Sequence, residues 1–184
     1  MVLIIALSGL PGAGKSTIAE LFRKRNLPVL SMGNIVRSEA SRLGITNDKA
    51  SITLRLLKGT RHISYEIVNM IFKEELSKKY NIILIDGLRS IKELQVLEEY
   101  FEKVYLIYVV ASWKTRFERL RNRGRDDDPK DLHEFLMRDY RELKFGLAEL
   151  LARADYIIVN EDKSINELDR EVDNIIKKLK LKMI

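Results

Sequence analysis

The first 22 residues restrict the fold of this chain more tightly than any other stretch. An apolar run, Val2-Leu3-Ile4-Ile5-Ala6-Leu7, leads into Gly9-Leu10-Pro11-Gly12-Ala13-Gly14-Lys15-Ser16, and Thr17-Ile18-Ala19-Glu20-Leu21-Phe22 follows with helical spacing. A buried strand, a glycine-rich turn and a helix in that order read as a phosphate-binding P-loop. The glycines let backbone N–H groups turn inward around a polyphosphate. The new helix aims its positive end at the same anion. Lys15 would reach the β- and γ-phosphates, and the Ser16 hydroxyl would ligate Mg²⁺. Gly9, Leu10, Pro11, Gly12, Ala13, Gly14, Lys15, Ser16 and Thr17 are therefore the expected ATP-binding set.

Downstream, short apolar runs alternate with longer amphipathic ones. The runs predict strands at 2–8, 28–31, 81–86, 104–110 and 155–160, all rich in Ile, Val, Leu and Tyr. Helices are predicted at 15–25, 33–43, 63–79, 90–100, 112–122, 130–151 and 164–181. Ser90 with Glu93, and Ser164 with Glu167, read as capping boxes. Asp128-Pro129 reads as an N-cap followed by proline at the first helical position. Continuous apolar strands separated by helices predict an α/β fold, a five-stranded parallel sheet covered on both faces. Ligands bind such sheets beyond the carboxyl ends of the strands. With 184 residues and no linker or repeat, the expectation is a single domain, 1–184. An acceptor-binding insertion at about 32–62 and a short lid at about 119–131 complete it.

Composition narrows the chemistry. There is no cysteine, which removes disulfides, thiolate zinc sites and a cysteine nucleophile. His62 and His133 lack metal-ligand spacing and read as surface or boundary residues. No apolar run approaches membrane-spanning length, and the N-terminal run is too short for a signal peptide, so a cytoplasmic protein is expected. The charge-rich composition fits a thermophile. The net charge of +6 suggests an anionic partner. Much of it sits in Arg116, Arg119, Arg121, Arg123 and Arg125. The lysines from Lys177 to Lys182 read as a solvated helix end.

Four further stretches carry chemistry. Asp86-Gly87-Leu88-Arg89 leaves the strand Ile82-Ile83-Leu84-Ile85. An aspartate there is the expected partner of Mg²⁺ held by a P-loop serine, and Arg89 offers a fork to an oxyanion. Ser31-Met32-Gly33-Asn34-Ile35-Val36-Arg37 puts Arg37 one turn into a helix, placed for a second anion. Arg116, Arg119 and Arg123 share a helical face, Gly124 ends that helix and Arg125 follows on a loop. Arginines on such a loop would form a lid over the transferring phosphoryl group, with Arg138 returning from the next helix. The fourth stretch, Ala154-Asp155-Tyr156-Ile157-Ile158-Val159-Asn160, ends in a turn that could contact a base through backbone groups.

From Leu3 to about Val172 these residues resemble the nucleoside monophosphate kinase group of P-loop kinases. Met32-Gly33-Asn34-Ile35-Val36-Arg37 stands where adenylate kinases have Thr-Gly-Asp-x-x-Arg, with Asn34 in place of the acid. Asp86-Gly87-Leu88-Arg89 is similar to their Asp-Gly-Phe-Pro-Arg, one residue shorter. Arg119 to Arg123, Asp127-Asp128 and Arg138 look like the lid arginines, the acidic pair and the later arginine. The whole chain most resembles an archaeal family of adenylate-kinase-related, dephospho-CoA-kinase-like proteins. Its shared signatures are Met-Gly-(Asp/Asn)-x-x-Arg, Asp-Gly-x-Arg-Ser, Arg-Gly-Arg-x-Asp-Asp-Pro and Ala-Asp-x-x-x-x-Asn. The resemblance implies a P-loop kinase fold and ATP binding.

The combined expectation is an ATP-dependent phosphotransferase acting on a nucleotide or nucleotide-like small anion, with Mg²⁺ as metal. Lys15, Asp86, Arg119, Arg123, Arg125 and Arg138 would be catalytic, Arg37 and Arg89 acceptor-binding, and Ser16 and Asp86 metal-binding. The alternatives are a regulatory or assembly ATPase with slow hydrolysis, and a nucleic-acid binder using the arginine segment, which a P-loop disfavours. Residues 44–62 are poorly patterned and would set specificity.

Overall fold

The computed structural model describes residues 2–45, 50–125 and 128–179. Five parallel strands form one sheet in the order β2-β3-β1-β4-β5. They are β1 (Leu3–Ser8), β2 (Val29–Ser31), β3 (Ile82–Leu88), β4 (Lys103–Val110) and β5 (Tyr156–Val159). The helices are α1 (Lys15–Arg23), α2 (Met32–Arg42), α3 (Ala50–Lys58), α4 (His62–Lys73), α5 (Leu76–Lys79), α6 (Ile91–Tyr100), α7 (Trp113–Arg123), α8 (Leu132–Glu142), α9 (Ala148–Arg153) and α10 (Ile165–Lys178). The predicted five-stranded parallel α/β fold is the one observed. No helix among the described residues is long and apolar enough to cross a membrane.

The central strand sorts its side chains with period two. Ile5 and Leu7 face a layer built by Ile18, Leu21 and Phe22 of α1 and by Leu168, Val172 and Ile176 of α10. Ile4 and Ala6 face a layer built by Met32 of α2, Leu54 of α3, Ile67 and Ile71 of α4, and Leu94 and Leu97 of α6. Both faces are thus buried, which is why β1 reads as an unbroken apolar run instead of an alternating one. Arg25 ties the first layer at its rim: its guanidinium bonds Asp169 at 2.8 Å and Asp173 at 2.6 Å, both on α10.

Five local readings are corrected by the structure. β3 runs two residues past the expected 81–86, because its register against β1 shifts at Leu7/Ser8 and pairing resumes between Ser8 and Leu88. The shift leaves Gly87 extra in β3, and the Ser8 hydroxyl pins the resumed strand by donating to the Leu88 carbonyl at 2.8 Å. The helix predicted at 63–79 divides into α4 and α5 at Glu75, whose φ is +54°. The helix predicted at 130–151 passes through a π turn at Leu143–Leu147, where Gly146 is non-helical at φ +113°. Asp128 does not cap that helix; Asp131 does, accepting from the Glu134 N–H at 2.8 Å. The poorly patterned 44–62 stretch contains α3, while 46–49 lie outside the described residues.

The Ser164–Glu167 capping box is complete. In the other, Ser90 accepts from the Glu93 N–H at 3.2 Å, but the Glu93 carboxylate turns to the Arg89 N–H at 2.7 Å instead. Lys177 and Lys178 lie in the last turn of α10, as a solvated helix end requires. His62 begins α4 with Nε2 2.9 Å from a Glu39 oxygen, and His133 is exposed.

Candidate active site

The loop between β1 and α1 approaches its neighbours too closely for side chains. A Cβ on Gly9 would lie 2.3 Å from the Val109 carbonyl oxygen, and one on Gly14 would lie 2.1 Å from Asn160 Nδ2. Both glycines have positive φ, +139° and +98°, so Gly is required twice over. Asn160, at the end of β5, donates from Nδ2 to the Ala13 carbonyl at 2.8 Å and is buried. Besides the backbone groups that its turn is expected to offer a base, this residue thus adds a side-chain clasp on the P-loop. Sequence reasoning missed this role; the signal was an amide at the carboxyl end of β5, the edge strand beside β4.

Lys15 opens α1 and donates to the Gly9 and Leu10 carbonyls at 2.7 and 3.1 Å. Burial of its ammonium lowers its pKa from 10.5 to about 8, against the opposing pull of the Asp86 carboxylate. Ser16 and Thr17 follow on the first turn of α1, where the Thr17 N–H donates to the Gly14 carbonyl at 3.0 Å. Asp86 lies two residues before the end of β3, opposite Leu7, and its carboxylate acts on the Lys15 charge. Its Oδ1 is buried without a hydrogen-bond partner, and burial raises its pKa, with Lys15 opposing.

Arg89 is reached through a buried framework that the sequence did not reveal. Glu93 is fully buried and accepts from Arg55 Nε at 2.8 Å and from the Arg89 N–H at 2.7 Å. Ser64 of α4 donates to the Glu93 carbonyl at 3.1 Å. One carboxylate therefore joins α3 and the backbone that follows β3. The Arg89 guanidinium itself is bound by Glu142, the last residue of α8, through Nη1. The Gly146 backbone packs on Ser90, where a Cβ would sit 3.5 Å from the Ser90 Cα. The π turn thus seats the end of α8 against the loop that carries Arg89, a position in which such turns recur at functional sites.

The α7 arginines share a face, as their spacing requires, but divide three ways. Arg116 is 4% exposed, bonds Asp139 Oδ1 at 2.8 Å and lies 5.0 Å over the Phe135 ring. It also donates to the Pro11 carbonyl at 3.3 Å, so it braces the P-loop. Arg119 approaches Gly14: its Nη1 lies 3.9 Å from the position of a Cβ there and is buried without a partner. Arg123 binds Asp128 through Nε at 2.9 Å, and the Arg125 N–H donates to the same carboxylate at 3.0 Å. Burial opposes ionisation of Asp128, yet these donors hold its pKa below the usual carboxylate range. Arg138 joins that pair at 3.5 Å and acts on the Lys15 charge. The Arg125 side chain is exposed. Asp126 and Asp127 lie outside the described residues.

Arg37 is exposed on α2 and bonds the Asn34 side-chain oxygen. The start of α2 faces the end of β3: a Cβ on Gly87 would lie 3.7 Å from Met32 Cβ and 3.8 Å from the Gly33 nitrogen. The structure therefore brings Lys15, Asp86, Arg89, Arg119 and Arg138 around one P-loop. It turns Arg123 toward Asp128 and Arg37 toward Asn34.

A parallel sheet with a P-loop at the head of its central strand, faced by an aspartate and arginines, defines a P-loop nucleotide-binding protein with a kinase-like fold. Residues 8–135 match the family described as AAA domain. The chain belongs to the UPF0200 family. It is 48% identical to a UPF0200 protein of Pyrobaculum aerophilum, over 98% of this chain and 100% of that one. It is 43% identical to a UPF0200 protein of Staphylothermus marinus, over 96% of this chain and 92% of the other. Among solved structures, TT1252 from Thermus thermophilus matches with a TM-score of 0.65 at 22% identity, covering 97% and 98% of the two chains. A shikimate kinase from Acinetobacter baumannii in complex with shikimate matches at 0.63 and 18% identity, covering 99% and 97%. At these identities the structural likeness concerns the fold.

Proposed function

We propose that this protein is an ATP-dependent phosphotransferase that moves the γ-phosphoryl group of Mg·ATP to a small anionic acceptor. The observation that carries this reading is a half-buried Lys15 within the field of Asp86, whose buried Oδ1 lacks a hydrogen-bond partner, at the mouth of a P-loop. An NTP fits this donor set: α1 and the loop supply N–H groups, and Lys15 supplies a cation. Among the described residues no cluster of three or more His, Cys, Asp or Glu could hold a metal. Mg²⁺ held by Ser16 and Asp86 would therefore share its shell with nucleotide phosphates, as Mg²⁺ commonly does.

In the reaction, the acceptor oxygen forms its bond to the γ-phosphorus as the bond to the β,γ-bridging oxygen breaks, and ADP leaves with that electron pair. A hydroxyl acceptor also loses a proton, for which Asp86 is the acceptor-side base. The P-loop and Lys15 hold the donor, while Arg119, Arg138 and the lid residues Arg123 and Arg125 offset charge on the transferring group. Arg123 would exchange Asp128 for that group when nucleotide binds.

The test is ADP formation from Mg·ATP by the purified chain against nucleoside monophosphates and dephospho-CoA, with Lys15→Ala as control. One acceptor class should raise the rate at least tenfold over hydrolysis, and Lys15→Ala should lower it ~100-fold or more. Basal hydrolysis that no acceptor stimulates would instead identify a regulatory ATPase.

A further inference from the structure

We propose that Glu142 sets the chemical class of the acceptor. By binding the Arg89 guanidinium through Nη1 it offsets that cation's charge toward a phosphate or carboxylate, and with its second oxygen it receives a hydroxyl. The inference rests on the kinase reading above. Glu142 is 5% exposed; one oxygen is taken by Arg89, and Oε2 is buried with no hydrogen-bond partner. A buried carboxylate oxygen without a donor is costly, and a ligand that brings an O–H removes that cost. Asp86 Oδ1 is in the same condition, and Lys15 feels both carboxylates along with Arg89 and Arg138.

Two acceptor oxygens lacking donors, beside an arginine already neutralised, match an alcohol. They mismatch a phosphate monoester, which near neutral pH is close to a dianion and has no proton to offer. Glu93 cannot stand in for Glu142, because its carboxylate is already bound by Arg55 and the Arg89 N–H. Any anionic group of the acceptor then falls to Arg37, which rests on the neutral amide of Asn34. The acceptor class is a small alcohol whose anionic group lies toward α2, away from the reacting hydroxyl.

Phosphate probes test this without the natural acceptor. The chain, saturated with Mg²⁺ and a non-hydrolysable ATP analogue, is titrated calorimetrically with AMP and with inorganic phosphate. Wild type should bind both weakly, because the Arg89 charge is already offset by Glu142. Glu142→Gln keeps the shape but releases Arg89, so it should tighten probe binding about tenfold, and adding Arg89→Ala should erase the gain. Tight AMP binding that Arg89→Ala abolishes, or no gain in Glu142→Gln, overturns the proposal and leaves the kinase reading standing. Failure of the ATP analogue to bind in a Lys15-dependent way overturns the kinase reading itself. If Glu142→Gln does not fold, Glu142→Met carries the same test: tightened probe binding supports the proposal and unchanged affinity removes it.

Discussion

Lys15 carries its charge at a cost, and that cost links the site to pH. Its pKa in the folded chain is about 8 instead of 10.5, chiefly through burial. Between those values the unfolded chain binds the extra proton, so this group's contribution makes stability rise with pH across that window. Below it the enclosed ammonium is a standing penalty. Bound phosphates reverse the preference by favouring the charged form. Affinity for Mg·ATP should therefore fall several-fold between about pH 7.5 and about pH 9.5, and binding near pH 8.5 should take up protons. Calorimetry in buffers of different ionisation heat measures both, and Lys15→Met should show neither. Lys15, Ser16 and Asp86 were legible in the sequence because each stands in a local strand–loop pattern. Glu142 was not, because its partner Arg89 is 53 positions away and no local pattern joins them.

Elements set which arginines can act. Spacing on α7 correctly gave Arg116, Arg119 and Arg123 one face, but only packing assigns that face three neighbours. The Arg55–Glu93 pair shows the same division: Glu93 read as a cap, whereas in the fold it joins α3 to the loop holding Arg89. Both side chains are almost fully buried, at 2% and 0% exposure. Arg55→Met should leave an unpaired buried carboxylate, costing about 3–5 kcal/mol, and lower the melting temperature by roughly 10 °C in thermal unfolding. A drop of only a degree or two would mean that Glu93 finds another partner. Helix boundaries failed where a single residue adopted a positive φ, at Glu75 and Gly146. Helical periodicity continues through such a position, so hydrophobic pattern does not reveal it.

At the scale of the molecule, β1 is the element on which everything depends. It lies between β3 and β4, divides the two apolar layers and ends in the P-loop. Ile5 is fully buried against the α1–α10 layer, and Ile5→Ala should cost about 2–5 kcal/mol. Loss of a side chain shared by strand and helix layers should shift one cooperative transition and not split it, as scanning calorimetry would register. Two separated transitions would mean that the layers unfold independently.

The amino-acid sequence alone specified the sheet, its parallel sense and the P-loop at the head of β1. Each follows from short-range patterns: apolar runs, turn glycines, and a cation at a helix start. Only the tertiary structure decided what the remaining charges do. It brought Asn160 onto Ala13, Arg116 onto Asp139, Arg55 onto Glu93 and Arg89 onto Glu142, pairs separated by 147, 23, 38 and 53 positions. A buried charge is defined by the partner it meets, and that meeting is fixed by chain topology and close packing, which residue spacing does not encode.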